Sequence, residues 1–293
     1  MTAEQRFWRA RPRLLRLAYS ELGDLGEAED VVQEAWLRLE RTGAESIEDV
    51  DAWLTTVVGR LALDTLRSAR ARREAYVGPW LPEPVVSSGV EDPADRVTLD
   101  ESVSYALLAL LEQLSPAERT AFVLHDIFDV PFGEVAEVVG RTPEAVRQLA
   151  SRARRHIAQQ RPRFEAAPDE HARAVRAFAQ AVEEGDLDGL VAVLDPDVVW
   201  TSDGGGRAIA SRKPLRGADR VARGWVALRR TATIEPIATP IELNGQLGLL
   251  IAGADGNRSV LSFMVDGGRI ARIDAVRNPD KLRRVRQRAR TGP

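Results

Sequence analysis

A pair of short amphipathic segments joined at a glycine constrains the fold of this chain more than any other feature. Thr142 and Pro143 are typical of a helix start, and apolar residues then recur at helical spacing as far as Ile157. The preceding segment, PFGEVAEVVG, predicts a shorter helix that ends at Gly140. A helix, a turn that contains glycine and a second, cationic helix form the layout of a DNA-reading helix-turn-helix.

The outward face of the second helix carries the candidate DNA-contacting side chains. They are Arg147, Gln148, Ser151, Arg152, Arg154 and Arg155. Arginine and glutamine can hydrogen-bond the edges of guanine and adenine, and further arginines can contact phosphates. A solvated, arginine-rich surface helix would show the same pattern, so this segment alone leaves both interpretations open.

The composition narrows the class of protein. The 293 residues are enough for two or three domains, and a net charge of −3 argues against a DNA clamp that extends over the whole chain. The chain has no cysteine and only 3 scattered histidines, so we expect no disulfide, no metal site and no cofactor. Since the sequence shows neither a signal-peptide core nor a membrane-spanning segment, we expect a cytoplasmic protein with no membrane partner.

Changes in composition along the chain predict its division into segments. Residues 1–75 and 106–162 are predicted to be helical, and a stretch rich in proline, glycine, serine and acidic residues, 76–105, is predicted to link them. Residues 165–277 open with an amphipathic helix and continue with strand-like runs, and residues 278–293 form a C-terminal tail. The predicted fold class is therefore multidomain, with two all-α modules followed by an α+β module.

Local signals place several element boundaries. Ser115–Glu118 has the pattern of a capping box, and the helix after residue 165 has Val175, Phe178, Ala179 and Val182 on one face. The strand-like runs are DVVW, TATIEPI, QLGLLIA, RSVLSFMV and RIARIDAV. Residues 266–268, Asp-Gly-Gly, predict a tight hairpin turn between the last two runs.

The helix predicted for EAEDVVQEAWLRLE presents an unusual outward face. Asp30, Gln33, Glu34 and Leu37 lie there, opposite a stripe of Ala28, Val31, Val32, Ala35, Trp36 and Leu39 that is predicted to be buried. An apolar residue among acids on an outward face is typical of a partner site, although a stray exposed leucine needs no explanation.

The next predicted helix carries a set of outward arginines. They are Arg60, Arg67, Arg70, Arg72 and Arg73. These side chains could follow a phosphate backbone, or they could be solvated cations near the negative end of the helix dipole.

Together these segments resemble a known family. EAEDVVQEAWLRL followed by DAWLTTVVGRLALDTLRSARARR resembles regions 2.2 to 2.4 of an extracytoplasmic-function (ECF) sigma factor. LLEQLSPAERTAFVLHDIFDVPFGEVAEVVGRTPEAVRQLASRARRHI resembles region 4 of the same family. The remainder is similar to a subgroup, the sigma-J type, in which a SnoaL-like domain is fused behind region 4.

Three short motifs carry the resemblance to that subgroup. They are WLPEP in the linker (Trp80, Leu81, Pro82, Glu83, Pro84), DGGGR in the C-terminal module (Asp203, Gly204, Gly205, Gly206, Arg207) and NPDKL near the end (Asn278, Pro279, Asp280, Lys281, Leu282). The glycine motif usually closes with lysine in this subgroup. Arg207 keeps the charge but replaces a compact ammonium with a planar fork.

The resemblance implies a fold, partners and roles for the candidate residues. The first two modules would be sigma domains that bind the β′ clamp and the β flap of core RNA polymerase and the −10 and −35 promoter elements, and the third a SnoaL/NTF2-like cone. Core polymerase would dock on Asp30, Gln33, Glu34 and Leu37. The −10 element would contact Arg60, Arg67, Arg70 and Arg73. The −35 element would contact the six outward residues of 147–155. The C-terminal module would regulate in cis, without a separate anti-sigma factor, and its pocket could hold a small molecule.

Two alternatives remain at this point. A helix-turn-helix regulator could bind DNA on its own beside a ligand-binding SnoaL-like module, or that module could be an enzyme that uses acids such as Asp203 and Asp274 with Arg207. The acidic face with Leu37 favours a polymerase subunit, and the three glycines are explained more simply by a tight turn with positive φ. We expect no catalytic residue. We also expect Trp80 and Leu81 to dock on the C-terminal module and so fix the spacing of the two DNA-reading modules.

Overall fold

The computed structural model describes residues 2–86, 103–160, 166–231, 237–252 and 258–285; for residues 70–74, 160, 227–231 and 237 only the backbone is described. These residues fall into two compact units. The first contains residues 2–75, 103 and 110–160, and the second contains residues 76–86, 104–109 and the described residues from 166 onward.

The first unit begins with three helices. They are α1 (Ala3–Leu22), α2 (Leu25–Thr42) and α3 (Val50–Glu74), with a single 3-10 turn at Ala44–Ser46. The Asp24 carboxylate caps α2 by accepting a hydrogen bond from the backbone N–H of Glu27 at 2.9 Å. The apolar stripe predicted for α2 is buried except for Trp36, which is half-buried with its ring 4.9 Å from that of Phe7. A side chain as large as tryptophan is rarely covered completely.

The helix-turn-helix of the first unit follows the sequence prediction closely. Helix α4 (Tyr105–Leu111) precedes it in the chain, and residues 105–109 of α4 belong to the second unit. Then come α5 (Pro116–Phe122), a π-helical turn (Val123–Ile127), α6 (Phe132–Val139) and α7 (Pro143–Gln160). Ser115 and Glu118 form the predicted capping box at the start of α5. Gly140 ends α6 with a φ of 71°, in the left-handed region that favours glycine.

The second unit is built on one mixed sheet covered by helices. Helices α8 (Pro168–Glu184) and α9 (Leu187–Val193) precede β1 (Leu194–Asp203) and β2 (Leu215–Arg216), and α10 (Ala218–Thr231) precedes β3 (Ile237–Leu243), β4 (Gln246–Ala252), β5 (Arg258–Asp266) and β6 (Arg269–Val276). The strand order is β2-β1-β6-β5-β4-β3. Strands β1 and β6 run parallel, and the other neighbours are antiparallel.

Each face of the sheet has its own apolar core because side chains alternate along a strand. Leu249, Ile251 and Phe263 point to the helical layer, where Phe178 and Trp225 pack. On the other face lies a second cluster, made of Leu81, Val86, Tyr105, Ala109, Leu243, Leu250, Val260, Val276, Leu282 and Val285. Residues before and after the C-terminal module therefore cover the face of the sheet that its own helices leave open.

The sequence predicted four of the six described strands, missed the two-residue strand β2 and misplaced the start of β3. The runs DVVW, QLGLLIA, RSVLSFMV and RIARIDAV lie in β1, β4, β5 and β6, and the turn between β5 and β6 has positive φ at Gly267 (54°) and Gly268 (76°), as a type I′ hairpin requires. The prediction of a strand over TATIEPI was wrong at its start. Thr231 ends α10, whose Val221, Ala222 and Trp225 are buried at helical spacing, and β3 begins only at Ile237. The residues between them lie outside the described part of the chain.

Among the described residues, none of the helices combines the length and the apolarity that a bilayer crossing requires.

Candidate functional site

The acidic face of α2 is exposed as its sequence pattern predicts. Asp30 and Gln33 are exposed, Glu34 is half-buried, and Leu37 keeps 42% of its surface exposed. The Glu34 carboxylate accepts a hydrogen bond from Arg38 Nε at 2.9 Å, which lowers the pKa of Glu34 and keeps it ionised. The structure therefore brings three polar side chains and one apolar side chain together on a single stripe.

The arginines predicted for the −10 element lie along α3. Arg60 is exposed, and its Nη2 donates to the backbone oxygen of Glu137 on α6 at 3.2 Å. Arg67 pairs with Asp64 of the same helix at 3.3 Å. The side chains of Arg70 and Arg73 lie outside the described part of the chain. Helix α3 approaches α6 closely at Gly59, where an added Cβ would lie 3.2 Å from Val138 Cγ1.

The outward face of α7 presents all the residues predicted for the −35 element. Arg147, Gln148, Ser151, Arg152, Arg154 and Arg155 are exposed, while Val146, Leu149, Ala150, Ala153 and Ile157 are buried. Three of these arginines have acidic neighbours: Glu144 lies 3.3 Å from Arg147, Glu118 lies 2.9 Å from Arg152, and Asp126 lies 2.6 Å from Arg154. Sequence reasoning missed the pairs with Glu118 and Asp126, because helical periodicity carries no information about neighbours on other helices.

Charged residues that sequence reasoning also missed join the two helical modules within the first unit. Arg119 on α5 is only 2% exposed, and it donates to the backbone oxygen of Ser20 on α1 at 3.1 Å through Nη2 and to Glu112 through Nη1. Glu21, also buried, accepts a hydrogen bond from Thr120 Oγ1 at 3.1 Å. Burial raises the pKa of Glu21 to about 7, although the charge of Arg119 and the Thr120 hydroxyl oppose that shift.

In the second unit the three motifs WLPEP, DGGGR and NPDKL meet at the fully buried Asp203. One carboxylate oxygen accepts from Tyr76 Oη at 2.6 Å, and the other accepts from the backbone N–H of Leu81 at 2.9 Å and from Lys281 Nζ at 2.7 Å. The backbone oxygen of Asp203 accepts from the N–H of Asn278 at 2.9 Å. We call this set the clasp: Tyr76, Trp80–Pro84, Asp203–Arg207 and Asn278–Leu282.

Two aromatic rings surround the buried cation of the clasp. Lys281 Nζ lies 3.7 Å from the ring centroid of Trp80 and 5.2 Å from that of Tyr76. Burial and the neighbouring carboxylate of Asp203 raise the pKa of the Tyr76 hydroxyl far above its usual range, so the hydroxyl stays protonated and donates. No motif pointed to Tyr76, which lies four residues before WLPEP, and only the structure shows that it belongs to the clasp.

The glycines of DGGGR let the chain turn tightly beside NPDKL. Gly205 and Gly206 have φ values of 58° and 71°, so the interpretation as a tight turn is correct for these two. A Cβ on Gly205 would lie 2.4 Å from Asn278 Nδ2, and one on Gly204 would lie 2.3 Å from the backbone oxygen of Ala208. Any side chain at these positions would displace a partner of the turn.

Arg207, which stands where lysine is usual, contacts the NPDKL motif at the rim of the clasp. Its Nη1 lies 2.7 and 2.6 Å from the two carboxylate oxygens of Asp280. These hydrogen bonds, together with one from Arg283, lower the pKa of Asp280. The pair is exposed, so it contributes little to stability.

The linker residues after the clasp continue along the second unit. Leu81 and Val86 belong to the apolar cluster on the open face of the sheet, and Tyr105 Oη donates to the backbone oxygen of Pro82 at 2.8 Å. Val85 exchanges hydrogen bonds with Asn244 at the β3–β4 turn. Trp80 and Leu81 thus lie against the C-terminal module. The sequence analysis expects this position, because their apolar surface has to be buried.

The C-terminal module also has a small, open and mostly apolar pocket of about 180 Å³. Its walls include Trp200, Leu215, Val221, Trp225, Leu261 and Ala275, and the rings of Trp200 and Trp225 meet edge to face at 5.4 Å. The acids considered for catalysis take part in other contacts: Asp203 lies in the clasp, and Asp274 pairs with Arg272 at 2.7 Å. The structure does not bring Asp203, Arg207 and Asp274 together around the pocket.

Comparisons with known proteins agree with this architecture. Family models match at residues 7–72 (Sigma-70 region 2), 104–157 (Sigma-70, region 4) and 175–273 (SnoaL-like domain). The ECF RNA polymerase sigma factor SigJ of Mycobacterium tuberculosis is 43% identical over 283 residues, which cover 93% of this chain and 90% of that protein. The probable ECF RNA polymerase sigma factor SigI of the same organism is 40% identical over 94% of this chain and 93% of its own length.

A solved structure extends the similarity to the fold. The crystal structure of M. tuberculosis SigJ superposes with a TM-score of 0.78 and 38% identity over 96% of this chain and 98% of that one. Two sigma modules followed by a SnoaL-like domain define an alternative sigma factor, which directs RNA polymerase to promoters. This chain belongs to the ECF sigma factor family. The expected family and fold class are confirmed, and the alternative of a stand-alone regulator is set aside.

Proposed function

We propose that the acidic stripe of α2 is the surface through which this sigma factor docks on the β′ clamp of core polymerase, while the region 4 module contacts the β flap. Asp30, Gln33 and Glu34 lie on the same stripe of α2 as the exposed side chain of Leu37, which supports this role. An apolar centre within a charged rim is the usual anatomy of a protein–protein interface.

We also propose that α3 and α7 contact the promoter. Arg60, Arg67, Arg70 and Arg73 would hold the −10 element, and the outward residues of α7 would lie in the major groove of the −35 element. The exposure of the six outward residues on α7, above a fully buried opposite face, carries this proposal.

The predicted domain boundaries stand as part of the proposal: region 2 at 1–75, linker at 76–105, region 4 at 106–162, regulatory domain at 165–277 and tail at 278–293. In the structure, residues 76–86 and 104–109 belong to the same compact unit as the SnoaL-like domain. The proposed linker is therefore attached to the proposed regulator at both of its described ends.

We propose further that the clasp allows the SnoaL-like domain to regulate the sigma modules in cis, so that no separate anti-sigma factor is required. The observation that carries this proposal is Asp203, whose single carboxylate binds Tyr76, Leu81 and Lys281. A domain that fixes the linker biases how the modules on either side can be arranged. Catalysis, a cofactor and a metal have no part in this function. A small molecule bound in the pocket beside Trp200 and Trp225 could modulate this regulation. We place the protein in the cytoplasm, where RNA polymerase works.

A run-off transcription assay with core polymerase tests the regulatory role. Gly205→Ala should change the yield from a promoter with both elements, because the added Cβ collides with Asn278 in the clasp. Gly267→Ala is a matched control, since Gly267 has a similar positive φ of 54° but no atom within 4 Å of the added Cβ. Equal transcription by wild type and both variants, with equal core affinity, would contradict regulation through the clasp.

A further inference from the structure

Arg152 of the proposed DNA-reading face is held in place by a residue of another helix. Its Nε donates to Glu118 Oε1 at 2.9 Å, while 47% of the side chain remains exposed. Among the described residues, neither terminal nitrogen of Arg152 forms a hydrogen bond. The guanidinium is thus fixed through its inner edge, and its outer edge, with both terminal nitrogens, stays available.

Glu118 is itself fixed before it binds Arg152. Its other carboxylate oxygen, Oε2, accepts from Ser115 Oγ at 2.6 Å and from the Ser115 backbone N–H at 3.2 Å, which closes the capping box of α5. Partial burial alone would raise the pKa of Glu118, but the hydrogen bonds from Ser115 and Arg152 outweigh it and lower the pKa. The carboxylate is therefore charged near neutral pH. Its Oε2 binds Ser115, and its Oε1 binds Arg152.

A fixed guanidinium suits base readout for two reasons. An arginine side chain has many rotamers, and a contact that selects one of them in the free protein reduces what must be ordered on binding. The bidentate pairing of arginine with guanine O6 and N7 depends on direction, so an arginine that cannot swing aside discriminates more strongly against other bases.

We infer that Glu118 is a positioning residue for promoter recognition: it aims Arg152 at one base pair of the −35 element and thereby sets the sequence preference there. This inference rests on the proposed role of α7. Glu118 lies outside the recognition helix, and a carboxylate near DNA repels phosphates. Its charge alone would therefore not indicate a role in sequence specificity.

The test is run-off transcription by the full-length chain with core polymerase, on templates that carry each single-base substitution of the −35 element. Glu118→Ala should reduce the preference at one base pair by on the order of tenfold, which lies within the discrimination that a bidentate pair supplies. Arg152→Ala should reduce it at the same base pair, and the double variant should lose little more, because both changes break one interaction. Arg155→Ala should lower transcription from all templates evenly if Arg155 binds only phosphate.

Ser115→Ala is a graded comparison, because it removes the hydroxyl that holds Oε2 but keeps the Ser115 backbone N–H and the Arg152 contact of Oε1. It should reduce the preference at the same base pair less than Glu118→Ala does. Glu118→Gln should retain part of the preference, since its amide oxygen can still accept from Arg152. Should Glu118→Ala fail to fold by circular dichroism, Glu118→Gln and Arg152→Lys carry the test, and unchanged preferences in both would overturn the inference.

Two outcomes separate this inference from the function on which it rests. If Glu118→Ala and Ser115→Ala weaken transcription equally from all templates, Glu118 only caps a helix and the inference is wrong, although α7 can still read the promoter. If wild-type protein shows no base preference anywhere in the −35 element, the proposed role of α7 itself fails.

Discussion

Lys281 Nζ lies 2.7 Å from Asp203 Oδ2, and both side chains are almost completely buried. A buried ion pair is tolerated only when further hydrogen bonds satisfy both groups, and here Tyr76, the Leu81 amide and the Leu81 carbonyl supply them. The pair joins residues that are 78 positions apart and draws the linker onto the same point. The clasp is therefore a single cooperative site, and loss of one charge should release the whole of it.

Lys281→Met tests that cooperativity. Removal of one partner of a buried pair leaves the other charge uncompensated and typically costs about 3–5 kcal/mol. We expect the amides of residues 77–86 to exchange with solvent much faster in the variant, as measured by hydrogen–deuterium exchange. Arg283→Met is the control, since Arg283 pairs with Asp280 at the exposed rim. Unchanged exchange at Leu81 in Lys281→Met would show that the pair does not hold the linker.

Glu21→Gln should alter how stability depends on pH. Because burial raises the pKa of Glu21 to about 7 from an ordinary 4.5, the folded state favours the protonated carboxyl. The stabilisation from that proton is complete below about pH 4.5 and is lost as pH rises through 7, so wild type should weaken over that range. Glu21→Gln should remove this slope and be the more stable form at pH 8, by thermal unfolding. An identical slope in wild type and variant would contradict the burial of Glu21 against Thr120.

Leu37→Arg should weaken binding to core polymerase without unfolding the protein. Burial of such a side chain at an interface contributes roughly 1.5–3 kcal/mol, and an arginine there would bring an unpaired charge into the contact. A pull-down with core polymerase measures the loss. Leu187→Arg provides the same change at another exposed leucine, on α9, and should bind like wild type. Equal capture of both variants would mean that Leu37 lies outside the interface.

The sequence was sufficient for features that depend on neighbours along the chain. The capping box of Ser115 and Glu118, the stop at Gly140 and the hairpin at Gly267 are local geometries, and each was predicted from a few consecutive residues. The resemblance to ECF sigma factors supplied the motifs of the clasp, but not the reason they belong together. That reason is one carboxylate, Asp203, shared between segments far apart in the sequence.

Interactions across helices could not be predicted in the same way. Arg119 and Glu21 have charges that favour a solvated position, and only the packing of α1 against α5 buries them. The local pattern of Glu118 likewise predicts only a helix cap, because nothing in it indicates that Arg152 lies beside this carboxylate. Tertiary contacts give such residues roles that the local sequence pattern does not indicate, whereas the exposed faces of α2 and α7 were predictable from helical spacing alone.

The two helical modules of the first unit should have to separate before both promoter elements can bind. The −10 and −35 elements lie about 25 base pairs apart, roughly 85 Å at about 3.4 Å per base pair. In the structure, however, Arg60 on α3 donates to Glu137 on α6 at 3.2 Å. A disulfide that holds α3 against α6 should therefore block transcription from a promoter that needs both elements.

Gly59→Cys combined with Val138→Cys provides that crosslink, because a Cβ on Gly59 would lie 3.2 Å from Val138 Cγ1 and the natural chain contains no cysteine to compete. The oxidised double variant should lose run-off transcription, and a reducing agent should restore it. Each single cysteine variant, treated identically, controls for the substitution and for the oxidant. Full activity of a crosslinked protein, with the disulfide confirmed by mass spectrometry, would show that the packed arrangement of α3 and α6 is itself the active one.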